Sequence, residues 1–198
     1  AFAAFGVAAL AGLVLAATTA WWLVAVGVVC IVAAWFYTGG KKPYGYLGLG
    51  EVMVFVFFGL VAVLGTTWTQ AKALDLDSWA GAVGVGAIAC AILVVNNLRD
   101  IPGDTTAGKR TLAVRLGDAR TRQLYAVLVT VPLLAAALAA LVHPWALLAL
   151  ASAPLAALAA RPVLRGALGR DLVPVIGGTG LYQLGYAALL TIGLALSA

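Results

Sequence analysis

Charge is scarce in this 198-residue chain: 12 Lys and Arg, 7 Asp and Glu and one His leave it 10% charged, against roughly a quarter in soluble domains. So little charge excludes a water-soluble globular fold. Cysteine is equally sparse. Cys30 and Cys90 each lie inside an apolar run, which reads as packing rather than a disulfide or metal pair. The sole histidine, His143, precedes Pro144 and reads as an interfacial turn residue, not a metal ligand. No Walker loop, zinc spacing or Ser/His/Asp order is present, which removes the common nucleotide, zinc and triad hydrolase readings. A basic segment before the first apolar run is also missing, so a secretory signal is excluded. The chain starts at Ala1 without Met, already within an apolar run, and reads as a fragment.

What the chain does have is length in apolar residues, at 64% of the total. Runs of about 18 residues or more recur, each long enough to cross a hydrocarbon core as a helix. The Ala/Leu/Val/Gly runs show none of the period-two alternation of an outer-membrane barrel. The fold class expected is all-α, a polytopic transmembrane bundle. Spans are placed at about 2–18, 20–38, 50–68, 78–98, 121–142, 145–160 and 173–197, about seven in all. Pro102 is expected to end the fourth span or start a following helix, and Pro132 and Pro154 to kink theirs. Gly81, Gly84 and Gly86, and Gly177, Gly178 and Gly180, suit close helix packing.

The net charge of +5 does not point to a nucleic-acid partner, because its distribution follows the connections between spans. Eleven of the twelve Lys and Arg residues fall in segments 39–49, 99–122 and 161–172. The other connections contain only Lys72. By the positive-inside rule the basic set faces the cytoplasm, with the first residue inside and the last outside. Trp21, Trp22, Trp68, Trp79 and Trp145 cluster near predicted span ends, as interfacial belt residues do.

Within the basic set, Asp100 and Asp104 stand four apart at the end of the fourth span, with Asn96 and Asn97 one turn earlier. Two carboxylates at this spacing can converge on a hard cation, and magnesium favours one or two carboxylates together with water and phosphate oxygens. Arg99, Lys109 and Arg110 supply countercharge, so a diphosphate-headed substrate is the natural partner. A plain solvated loop explains the same spacing. The segment Tyr37-Thr38-Gly39-Gly40-Lys41-Lys42-Pro43-Tyr44-Gly45-Tyr46 allows close backbone approach and offers lysines to an anion, or equally anchors the interface. Glu51 opens a span, where an ionisable group is costly unless it faces a cavity, a partner or the interface; complementing the helix dipole is the alternative. Asp118 and Asp171 read as helix caps.

The stretch NNLRDIPGDTTAGKRTLAVRLG, Asn96 to Gly117, preceded by YTGGKKPYGYLGLGE, Tyr37 to Glu51, resembles the UbiA superfamily of membrane prenyltransferases. Within it the likeness is closest to the members that prenylate 1,4-dihydroxy-2-naphthoate. The resemblance implies nine membrane helices and two aspartate-rich motifs above a central cavity. The chain would be one transmembrane domain, 1–198, holding about the last seven helices and the second motif. The first motif, of the N-D-x-x-D kind, is absent from these residues, so the fragment alone is expected to be inactive.

Carried over by position, Asp100 and Asp104 become magnesium ligands, and Glu51, Lys42 and Arg99 candidate catalytic residues. Tyr37, Lys41, Asn96, Asn97, Lys109 and Arg110 become candidate substrate contacts. The stretch Thr111 to Gly117 is expected to form a short helix over the cavity. The implied partners are a polyprenyl diphosphate, 1,4-dihydroxy-2-naphthoate and membrane lipid. The alternatives are a relative with another acceptor, or a transporter, whose signature would be polar residues at the midplane. Here the midplane is apolar.

Overall fold

Each apolar run of the sequence folds as a helix. The computed structural model describes residues 2–41 and 43–197; Lys42, a candidate catalytic residue, lies outside them. The helices are α1 (Phe2–Thr19), α2 (Leu23–Thr38), α3 (Gly50–Ala71), α4 (Leu76–Thr106), α5 (Leu112–Ala139), α6 (Pro144–Leu164) and α7 (Gly169–Ser197). Among the described residues there is no strand. All but α2 are long and apolar enough to cross a membrane, and the chain is an all-α membrane protein. The 16 residues of α2 extend roughly 24 Å, short of the hydrocarbon thickness by themselves.

The chain divides into two units, Ala1–Tyr46 and Leu47–Ala198. In the first, the Phe2 ring of α1 lies 6.1 Å from that of Trp35 on α2. The Tyr44 hydroxyl donates to the carbonyl of Ala33 at 2.6 Å, and Tyr44 meets Tyr37 edge-on at 5.5 Å. The glycine segment therefore folds back on the end of α2. A side chain at Gly45 would stand 2.7 Å from the Tyr37 carbonyl oxygen, which explains a residue without Cβ there. Burial raises the Tyr44 hydroxyl above its ordinary pKa.

In the second unit α4 is the central element and packs against α3, α5 and α7. Lipid tails are as apolar as Leu, so burial of apolar area does little to hold membrane helices together; small residues and interhelical hydrogen bonds do more. Both are present. Gly59 of α3 crosses Gly86 of α4 so closely that a Cβ on Gly59 would sit 2.7 Å from the Gly86 Cα. Tyr125 of α5 and Thr179 of α7, both fully buried, share a 2.7 Å hydrogen bond, and the Tyr182 hydroxyl of α7 donates to Val129 of α5 at 3.0 Å. Each such bond contributes about 0.6–1.7 kcal/mol. Of the glycines singled out by sequence, Gly86 packs as expected and Gly84 faces Tyr186. Gly177 and Gly180 are a correction, because no atom lies within 4 Å of a Cβ built on either.

The proline and cap expectations also need correcting. Helix α4 runs through Pro102 to Thr106, losing one amide donor but keeping its path. Pro154 sits in the first turn of the α-helical part of α6, after a 3-10 stretch over Pro144–Ser152, so it opens a helix rather than kinking one. Gly117, at φ 76°, breaks α5 and sets off the short helical segment from Leu112. Asp118 is no cap: Arg122 donates to both of its oxygens, at 2.6 and 2.7 Å. Asp171 lies within the 3-10 turn Gly169–Leu172, whose cap position is Leu168. The capping side chains are Asp75, before α4, and Thr111, before α5. A ten-residue π-helical stretch in α3, Phe55–Leu64, has no signal in its uniformly apolar sequence.

Candidate functional site

The continuation of α4 past Pro102 sets the geometry of the acidic pair. On an unbroken helix Asn96, Asp100 and Asp104 succeed one another at four-residue steps along one side. Arg99 donates to both oxygens of Asp100, from Nε at 2.7 Å and Nη2 at 2.8 Å. Lys109 Nζ lies 2.9 Å from an oxygen of Asp104, and the Lys109 amide closes the helix end on the Asp104 carbonyl at 2.9 Å. The Asp100 side chain is 38% accessible and that of Asp104 10%. Two carboxylates one turn apart are thus each balanced by a cation from the adjoining sequence.

The two asparagines diverge, as neighbours about 100° apart around a helix must. Asn96 lines a largely apolar cavity of about 370 Å³ with Val54, Phe58, Leu93, Ile176 and Gln183. Asn97 turns toward α3, where its side-chain amide donates to Glu51 Oε1 at 2.9 Å. Glu51 is buried, and Oε2 has no hydrogen-bond partner. Its main-chain carbonyl accepts from the Cys90 thiol at 3.1 Å, so Cys90 adds a polar link to its packing role. The Gly59–Gly86 crossing brings α3 near enough to α4 for these contacts.

Sequence reasoning missed Arg115. From the short helical segment after Thr111 its guanidinium donates to the carbonyls of Leu47 at 2.8 Å and Arg110 at 3.1 Å. It clasps the entry to α3 onto the connection between α4 and α5. The available signal was Gly48, whose φ of +78° and lack of Cβ leave space beside the Arg115 side chain. Arg110 is held there by its backbone. Asp100, Asp104, Asn97, Glu51, Arg99 and Lys109 all belong to the second unit. Tyr37 and Lys41 belong to the first, where Lys41 is exposed and Tyr37 packs on Tyr44.

His143 is more than a turn residue. Its Nε2 lies 2.8 Å from Asp77 Oδ2, joining the start of α6 to the first turn of α4. That contact is at the end of α4 remote from Asp100.

Three comparisons bear on this geometry. Residues 1–171 match the sequence profile described as the UbiA prenyltransferase family. The chain is similar to the 1,4-dihydroxy-2-naphthoate octaprenyltransferase of Mycobacterium tuberculosis, 58% identical over 179 residues, covering 90% of this chain and 61% of that protein. The protein of the same name from Mycobacterium leprae is 51% identical over 181 residues, covering 91% and 62%. That of Escherichia coli is 44% identical over 142 residues, covering 70% and 46%. The chain therefore spans less than two thirds of the length of these relatives. No solved structure matches it.

Proposed function

The chain belongs to the UbiA prenyltransferase family, and from that premise we propose that the protein moves a polyprenyl group from its diphosphate to 1,4-dihydroxy-2-naphthoate, on the cytoplasmic face of the membrane. The ring carboxylate leaves as carbon dioxide, pyrophosphate departs from the prenyl carbon, and the product is the hydroquinone form of demethylmenaquinone. The names of the mycobacterial and Escherichia coli relatives support this acceptor. The observation that carries the reading is the placement of Asp100 and Asp104 one turn apart on α4, each beside a cation, with buried Glu51 held by neighbouring Asn97.

Magnesium fits these residues. Asp100 and Asp104 offer hard oxygens on one side of a continuous helix, Asn96 adds an amide one turn earlier, and three such groups leave coordination positions for water and phosphate oxygens. When bound, the ion would neutralise charge developing on departing pyrophosphate. Arg99 and Lys109, relieved of their carboxylates, are positioned to neutralise phosphate oxygens, and Arg110 adds a third cation from the same connection. The cavity beside Asn96 is lined mainly by apolar side chains and suits an isoprenoid unit. Glu51 Oε2 is free to accept a hydrogen bond or proton from the acceptor hydroxyl, while Asn97 fixes the carboxylate through Oε1.

The test is product formation by the full-length protein in membranes supplied with polyprenyl diphosphate, naphthoate and magnesium. Prenylated naphthohydroquinone, read as its quinone after oxidation by air, that disappears with chelator and returns with magnesium is expected; no prenylated product from this acceptor would overturn the reading. Glu51→Gln should slow turnover with both substrates saturating. Unchanged turnover would remove Glu51 from acid–base chemistry.

A further inference from the structure

The end of α4 away from the acidic pair carries a second cavity, this one with charged side chains in its wall. Asp77 lies 23 residues before Asp100 on the same helix, about 35 Å away at 1.5 Å per residue. It lines a cavity of about 420 Å³ together with Asp75, Ser78, His143, Thr67 and Thr191. The remaining wall is apolar and includes Val85 and Leu190. No described donor reaches Asp77 Oδ1, although the residue is only 8% exposed and its other oxygen is held by His143.

Ser78 and Thr67 are committed elsewhere, and the Thr191 hydroxyl does not reach Asp77 Oδ1. The Ser78 hydroxyl and amide both donate to Asp75, at 2.6 and 3.0 Å. Thr67 donates to its own helix at Val63. Lys72, the basic residue of this connection, sits 4.4 Å over the Trp68 ring. Two carboxylates thus share a cavity with one histidine, and a buried carboxylate oxygen lacking a donor is a strong demand for one.

We infer that this cavity is a binding site for an amphiphile with a primary ammonium group, its head donating to Asp77 Oδ1 and its chain lying on the apolar wall. A neutral alcohol would satisfy the hydrogen bond but not the second carboxylate. A fatty-acid head would bring a third negative charge. The same ammonium chemistry is offered by a free long-chain amine and by an ethanolamine lipid headgroup.

Binding of n-decylamine, n-decanol and decanoate to the full chain in nanodiscs of phosphatidylglycerol tests this by calorimetry, with empty discs subtracted. A saturable site for decylamine at least ten-fold tighter than for decanol, and no saturable site for decanoate, is expected. Asp77→Asn should weaken decylamine at least ten-fold. Ala187→Phe, which fills the cavity from α7 and leaves the Asp77–His143 pair in place, should abolish saturable binding and decides the matter if Asp77→Asn fails to fold. Equal affinity for decanol and decylamine, or unaltered decylamine binding in Ala187→Phe, overturns the proposal. Discs containing phosphatidylethanolamine separate the sources: weaker apparent decylamine affinity there identifies the lipid headgroup, and unchanged affinity the free amine.

Discussion

The two ends of α4 each carry a pair of carboxylates, but in opposite electrostatic settings. A helix N-terminus favours negative charge and a C-terminus opposes it. Asp75 and Asp77 lie where the dipole welcomes them. Asp75 caps the helix by accepting from the Ser78 amide, and Ser78 returns the contact in a capping box. Asp100 and Asp104 lie in the last turns, where the dipole works against them, and each is matched by an adjoining cation. A pair placed against its own helix is not there for helix stability, and its attached cations are the groups an anionic ligand would recruit.

The sharpest way to test that contrast is to neutralise the opposed pair. Asp104→Asn should lower prenyl transfer by about a hundred-fold, some 2.7 kcal/mol of barrier, with helical circular dichroism unchanged. Loss of fold instead of activity would make Asp104 structural and erase the difference between the ends. Next in size, Gly86→Leu forces a side chain into the Gly59 backbone. It should cost about 1–3 kcal/mol of stability and disturb Glu51 at one end while sparing the cap at the other. A melting curve together with turnover would show whether the ends are coupled through that crossing.

At the favoured end, His143→Ala leaves Asp77 without its partner and should destabilise by about 1–3 kcal/mol, read from thermal unfolding, with prenyl transfer at low temperature retained. A matching loss of turnover would mean the two ends communicate. The smallest effect belongs to the cap, where Asp75→Ala should cost about 1 kcal/mol. Hydrogen bonds from Ser78 hold the Asp75 carboxyl below its ordinary pKa. Its contribution is therefore complete above about pH 4 and is lost as pH falls through the depressed value. Ser78→Ala should flatten that acid limb; an unchanged limb would assign it to another carboxylate.

How much of this was readable beforehand follows the range of the interactions. Six of the seven expected spans are legible because apolar run length alone marks them; the expectation at 20–38 meets the shorter α2. The one-turn spacing of Asp100 and Asp104 is legible because it is local. The Glu51–Asn97 contact was not, since it joins residues 46 apart through a helix crossing that depends on Gly59, a glycine no motif marked. Arg115 reaches Leu47 across 68 positions, and was read only as one more basic residue in its segment. His143 reads as a turn residue in sequence because its partner Asp77 lies two helices earlier. At Pro102 local propensity ends a helix, whereas packing against α3, α5 and α7 accompanies its continuation to Thr106.

The π-helical stretch of α3 has a consequence for how this protein tolerates changes in length. A π turn holds more residues than an α turn for the same advance of the chain, and such turns behave as insertions absorbed within a helix. Phe55–Leu64 is therefore a slack segment lying between Glu51 and the far end of α3. One residue removed there can be taken up by tightening the coil, whereas one removed between Asp100 and Asp104, where the turn is already α-helical, would rotate the two acidic residues out of phase with one another.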